Sequence, residues 1–303
     1  MYRALVLGIG QQPWLSGQIR RFGLEWGASR FVAGETLNDA LEVVAAINRD
    51  GLAATVDYLG EAAPEAAVAE AARDAYLELL DALAERGLDA GISVKPSLMG
   101  LGLDADLARA NLDALLDRAR ERDRILCLDM EEARYTDGTL ALYRALADRD
   151  PGRVGVVLQA YLRRTPADLT ALSDRPRNLR IVKGAYQEAR ELVLPDKASV
   201  DDAFVELVTR ALEAGHRVAV ATHDERTIGR VLRRIRKLGA APDRYEFQML
   251  YGVKYAALKD LAREGHRCRV YVPYGQDWYA YFLRRLAERP ANLLFAGRAI
   301  LGG

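Results

Sequence analysis

The sequence predicts an α/β fold, a closed (β/α)8 barrel of the TIM type, and two observations predict it. Eight short apolar runs recur between residues 53 and 272, and each is followed by a segment with helical spacing. Strands separated by helices of this length pair in parallel through crossovers, and eight such units in about 250 residues suit a closed barrel. A doubly wound open sheet is the rival. Its Gly-rich phosphate turn is missing here, because the first run ends in Tyr58-Leu59-Gly60-Glu61 with no G-x-G-x-x-G.

The elements follow in order. Residues 1–48 read as a helical segment ahead of the barrel, which takes 49–303. Leu5, Ile9, Ile19, Phe22, Trp26 and Phe31 fall irregularly, but Thr36 to Asn48 has clear helical spacing at Leu37, Leu41, Val44 and Ile47, closed by Gly51. The run 53–59 precedes an Ala/Leu/Glu helix over 64–86, ended by Gly87. Runs at 91–95, 124–129 and 154–159 precede helices over 104–120, 137–148 and a short one after Pro166. Runs at 179–183 and 217–222 precede helices over 199–213 and 224–237. Runs at 245–250 and 268–272 precede helices over 253–263 and 276–289. No linker divides the barrel.

Composition bounds the function. The chain has 303 residues, 50% hydrophobic and 28% charged, which excludes a disordered or collagenous protein. Lys plus Arg equals Asp plus Glu at 43 each, so nucleic acid is not an expected partner. Cys127 and Cys268 cannot build a disulfide framework and read as small core residues of strands in a reducing compartment. No stretch approaches the ~18 apolar residues of a membrane span, and Met1 to Gly10 lacks a signal-peptide cleavage site. The expected location is the cytoplasm.

Barrel chemistry gathers where strands end at their carboxyl side. These runs end in Asp57 and Glu61, Lys95, Asp129, Gln159 and Tyr161, Lys183 and Tyr186, His223 and Asp224, Gln248, then Tyr271 and Tyr274. Eight polar endings on one rim predict a site there. Lys95 and Lys183 each suit an anion clamp, a snorkelling edge lysine or, behind these, a Schiff-base amine. Alternation puts Arg180 and Lys183 on opposite faces of a straight strand. On the last helix Tyr281, Arg284 and Arg285 stand at i, i+3 and i+4 and share a face. An arginine pair beside an aromatic suits a carboxylate ligand, although spacing alone favours a solvated pair. Only His223 sits at the rim. His216 and His266 follow helix-ending glycines, and no metal-ligand pattern is present.

Several segments together resemble the proline dehydrogenases in their short monofunctional bacterial form. They are Tyr58–Glu61, Ser93–Ser97, Leu128–Glu131, Leu158–Leu162, Arg180–Tyr186, Ala221–Asp224, Glu246–Gly252 and Tyr271–Gly275, leading to Tyr281-x-x-Arg284-Arg285. They lie in register, one per strand. The resemblance implies a distorted (β/α)8 barrel with extra N-terminal helices and the last helix folded over its mouth. It implies FAD-dependent oxidation of L-proline to pyrroline-5-carboxylate, with electrons passed to a quinone and peripheral contact with the inner membrane face. Lys95, Arg284 and Arg285 would hold the proline carboxylate. Tyr281 would pack on the ring, and Asp129 and Tyr271 would line the pocket. Arg180 would reach the flavin N5 and Gln159 the ring edge, while Asp129, Lys183, Ala185, Tyr186, Thr222, His223 and Gln248 would contact other parts of the cofactor. Glu61 would pair with an arginine of the last helix and gate the entrance. A Schiff-base lyase or aldolase using Lys183, and a non-catalytic barrel binding a small carboxylate, are the rival readings. The oligomeric state, a homo-oligomer included, is left open.

Overall fold

Alternation along each strand decides what meets the helices and what meets the barrel axis. One set of side chains, such as Val56, Ile92, Leu126, Val156, Ile181, Val220, Phe247 and Val270, joins a single buried apolar cluster with the helices. The alternate set is mostly short or polar, with Val157 and Val182 among it, and several of its members bond across the axis, as described below.

The computed structural model describes residues 28–288. Among them the strands are β1 (Ala53–Tyr58), β2 (Ala90–Val94), β3 (Leu126–Leu128), β4 (Val154–Gln159), β5 (Asn178–Val182), β6 (Arg217–Ala221), β7 (Tyr245–Leu250) and β8 (Cys268–Tyr274). They pair in parallel in chain order and close, with Ala53 opposite Arg269 and Tyr58 opposite Tyr274. The helices are α1 (Leu37–Arg49), α2 (Ala66–Glu85), α3 (Ala105–Glu121), α4 (Thr136–Arg149), α5 (Thr165–Ala171), α6 (Lys197–Glu213), α7 (Glu225–Leu238), α8 (Tyr255–Arg263) and α9 (Trp278–Glu288). The closed α/β barrel expected from the runs is therefore present.

Caps set the helix starts. Thr36 and Asp39 form a reciprocal capping box ahead of α1. Asp196 caps α6 and Asp224 caps α7, each accepting backbone N–H bonds. Gly239 ends α7 in the left-handed region at φ 61°.

Most element ends fall within one or two residues of the sequence reading, and three of the differences are informative. β3 is shorter than 124–129, because Arg124 turns away and donates to Leu88 and Leu83 carbonyls. β8 runs past 272 to Tyr274, since it pairs with β1 along its length. Of the helical reading of 1–48, Leu37–Arg49 is an α-helix and Ala28–Arg30 a 3₁₀ turn, while 31–36 is irregular; Leu5, Ile9, Ile19, Phe22 and Trp26 lie outside the described residues.

The last helix leaves the outer ring. α1 packs on β1 and β8, in the place a helix following β8 would take. α9 instead forms a second apolar cluster through Trp278, Tyr279, Tyr281, Phe282 and Leu283, with Ala28, Phe31, Val32 and Leu59. Two polar ties hold this lid: Trp278 Nε1 donates to Glu35 at 2.8 Å, and Gly275 N donates to the Gly34 carbonyl at 3.0 Å. None of the described helices is long and apolar enough to cross a membrane.

Candidate active site at the barrel mouth

The axis of this barrel is not filled with aliphatic side chains. Asp57 from β1, Ser93 from β2, Asp129 after β3, Arg180 from β5 and Tyr271 from β8 meet there, each at an inward position of the alternation. Asp129 is the hub. Its Oδ1 accepts from Ser93 Oγ and Arg180 Nη1, both at 2.8 Å, and its Oδ2 accepts from Tyr271 Oη at 2.8 Å. The Arg180 guanidinium also lies 5.5 Å from the Tyr271 ring centre. Burial, then the Asp129 charge, pushes the Tyr271 hydroxyl well up, so it keeps the proton it donates.

Lys95 follows β2 and is buried. Its Nζ lies 3.3 Å from Asp57 Oδ2 and donates to the Gly60 carbonyl at 3.3 Å. Burial alone would pull this ammonium down; Asp57, then Asp129 and Glu131, outweigh it and hold it up, so Lys95 is a fixed cation. Tyr76, from the middle of α2, donates to the Ser93 carbonyl at 2.7 Å and reaches Asp57 at 3.3 Å, bracing both strands from outside.

Above this floor stands α9. Tyr281, Arg284 and Arg285 line one cavity with the strand ends, so the shared face read from their spacing is turned inward, not into solvent. Arg284 Nη1 donates to Glu61 at 3.1 Å, at the outer edge where the Glu61 side chain is 63% exposed. The Arg285 guanidinium lies 5.1 Å from the Tyr281 ring centre.

The cavity counts about 1290 Å³ including its open mouth. Beyond the residues above, its wall holds Gln159, Lys183, Ala185, Tyr186, Thr222, His223 and Gln248; of the strand endings read from the sequence, Glu61, Tyr161, Asp224 and Tyr274 do not line it. Gln159 Nε2 donates to the Glu131 carbonyl at 2.8 Å, and His223 Nε2 accepts from Leu250 N at 2.9 Å, which fixes that ring. Gly184 shapes the turn after β5: its φ is 116°, and a Cβ there would come within 2.2 Å of the Tyr161 ring.

Lys183 separates from Arg180 as alternation demands, toward α6 and α7. It donates to Asp201, to Asp224 at 2.9 Å and to Thr227 at 3.1 Å. Two carboxylates and a hydroxyl hold this amine against α6 and α7, which counts against a free nucleophilic amine and so against the Schiff-base reading.

Two residues that build the site, Glu131 and Tyr76, have no role in the sequence reading, and a third, Asp57, enters it only as a polar strand ending. Glu131 accepts from Ser97 N at 2.9 Å and from Ser97 Oγ, and so ties down the turn that carries Lys95. Tyr76 gave no signal, being one aromatic in an apolar helix stripe.

Glu131 yields a pH prediction. Burial raises it to about 6 from 4.5, against the pull of Ser97 and Lys95. The folded state then holds this proton more tightly than the unfolded chain. Its stabilising contribution, about 2 kcal/mol, is full below the unfolded value and is lost as pH rises through the folded one. Glu131→Gln should lower stability at pH 4.5 relative to pH 7.5 by about 1.6 kcal/mol in urea unfolding, since pH 4.5 lies at the unfolded midpoint; an unchanged relation between the two pH values would contradict the assignment.

The comparisons with known proteins agree with this geometry. The proline dehydrogenase family model matches residues 40–298. Proline dehydrogenase 1 of Bacillus subtilis subsp. natto is 40% identical over 301 residues, covering 99% of each chain. The proline dehydrogenase of Deinococcus radiodurans is 41% identical over 307 residues, covering 100% of this chain and 99% of its own. Among solved structures, proline utilization A from Bdellovibrio bacteriovorus, inactivated by N-propargylglycine, superposes with a TM-score of 0.80 at 27% identity, over 86% of this chain and 32% of that much longer one. A lidded barrel with cations at its mouth, matched along nearly its whole length by short single-activity relatives, places the chain in the proline dehydrogenase family.

Proposed function

We propose that the chain oxidises L-proline to pyrroline-5-carboxylate with FAD at the barrel mouth, and that a quinone takes the electrons at the inner membrane face. Proline oxidation itself follows from family membership. The observation that carries the finer reading is one cavity bearing three cations, Lys95, Arg284 and Arg285, beside Tyr281, Tyr271 and Asp129.

The residues present suit a flavin. Arg180 Nε and Gln248 Oε1 are buried in the cavity wall with no hydrogen-bond partner among the described residues. A ring edge that carries both carbonyl acceptors and an imide N–H answers one such donor and one such acceptor. Gln159, Lys183, Ala185, Tyr186, Thr222 and His223 would hold the rest of the cofactor. When bound, FAD supplies an acceptor for the hydride equivalent from the ring carbon beside nitrogen.

The chain's own residues bind and orient. Proline is a zwitterion, and its carboxylate is held by Lys95, Arg284 and Arg285, with forked guanidinium bonds fixing the ring's direction. Tyr281 packs on the pyrrolidine ring and sets its permitted size. Asp129 and Tyr271 form the pocket wall, kept rigid by their mutual bond. Glu61, paired with Arg284 at the exposed edge, lets substrate in by releasing that arginine and excludes water when it returns.

The purified enzyme should be yellow, and its flavin absorbance should bleach on adding L-proline without oxygen. A colourless protein, or a flavin that proline leaves unbleached, would sink the reading. Tyr281→Ser should shift the preference for hydroxyproline over proline by about 10-fold in kcat/KM, the order of one lost packing group; unaltered selectivity would remove that role.

A further inference from the structure

The barrel holds a second cavity at its other end. It runs up the axis from the amino-terminal face and counts about 760 Å³ including its open end. It exists because the inward positions below the Asp129 layer are short: Thr55, Gly91, Cys127, Gly155 and Ala219 line it where bulky aliphatics fill an ordinary barrel. Gly155 has no positive φ, and a Cβ there would make only ordinary contacts, at 3.4 Å and beyond. No backbone requirement explains that glycine; its missing side chain leaves space.

The lining is strongly cationic. Arg180, Arg217, Arg244, Arg267 and Arg269 face two carboxylates, Glu246 and Asp243. Arg180 is already paired with Asp129 and Arg269 with Glu246, at 2.8 Å each. Arg244 donates to the His216 carbonyl at 2.9 Å, which leaves its charge uncompensated. Arg217 and Arg267 are exposed at the opening and form no ion pair among the described residues. At the closed end stand the buried Arg180 and Gln248, which line the upper cavity as well. A narrow pocket with clustered guanidinium groups, a buried polar roof and too few carboxylates has the chemistry of an oxyanion receptor.

We propose that this lower cavity is a second binding site, for a small oxyanion of the phosphate class, held by Arg244 and Arg267 beneath the Arg180 layer. It lies on the far side of the barrel floor from the proline pocket and takes no part in the oxidation.

The test titrates inorganic phosphate into the flavin-loaded enzyme by calorimetry at constant ionic strength in chloride. One saturable site is expected. The Arg244→Gln/Arg267→Gln variant should bind at least about 10-fold more weakly, the loss of charge-assisted bonds. Phosphate should also raise the melting temperature of the parent and not of this variant. Arg233→Gln/Arg234→Gln, on the exposed basic face of α7, is the control and should bind like the parent. Absence of saturable binding, or binding lost in the control and kept in the cavity variant, would overturn the proposal.

Discussion

Replacing Arg284 with Met is expected to raise the KM for L-proline about 100-fold while changing kcat far less. Truncating one side of a buried, hydrogen-bonded charge pair typically costs 2–5 kcal/mol, and ~2.8 kcal/mol corresponds to 100-fold. A clamp of the proposed kind would hold the carboxylate equally in the ground and transition states, so its loss would appear in KM. Arg285→Met should behave alike, since Arg285 is buried in the same wall. Glu61→Gln supplies the contrast. The Glu61 side chain is 63% exposed, and exposed ion pairs contribute only about 0–1 kcal/mol, so that variant should fold normally and alter entry more than affinity. Steady-state kinetics decide: an Arg284→Met enzyme with the parent's KM would refute the clamp.

The second large effect lies beneath it. Lys95 and Asp57 form an ion pair with both side chains withdrawn from water, at 9% and 1% exposure. Lys95→Met leaves a buried carboxylate unpaired, and Asp57→Leu leaves a buried ammonium unpaired. Either should lower stability by about 3–5 kcal/mol. The double variant Asp57→Leu/Lys95→Met removes both charges and should recover most of that loss, because a buried pair replaced by apolar groups is often near neutral. Tyr76 keeps its 2.7 Å bond to the Ser93 carbonyl in every case. Activity should not follow stability, because the double variant would still lack one of the three cations proposed to hold the carboxylate. Urea unfolding of the four proteins would settle the coupling, and additive losses would contradict it.

Much of this was legible because two different periods carry separate information. The eight strands were found from apolar runs, and those runs are apolar because one face of each meets the helices, as Val56, Ile92 and Val220 do. The same runs hid a polar interior. Asp57, Ser93 and Asp129 alternate with those residues and could have been read as one inward set, joined by Arg180 in its own strand. The spacing of Tyr281, Arg284 and Arg285 gave a shared face but not its direction; that depends on α9 leaving the ring, which is fixed by remote contacts with Phe31, Val32 and Glu35. Tyr76 and Glu131 were illegible for the same reason, since each acts through partners on other elements.

In the proposed function, fixed charge at the mouth selects an amino acid by its carboxylate. Pyrrolidine, the same ring without that group, tests it most directly, through the rate of flavin bleaching at low substrate. Pyrrolidine should be at least ~1000-fold poorer than L-proline, the worth of about 4 kcal/mol of charge-assisted binding, and Arg284→Met should leave its rate untouched while slowing proline. Comparable rates for the two compounds in the parent, or equal slowing of both in the variant, would contradict it.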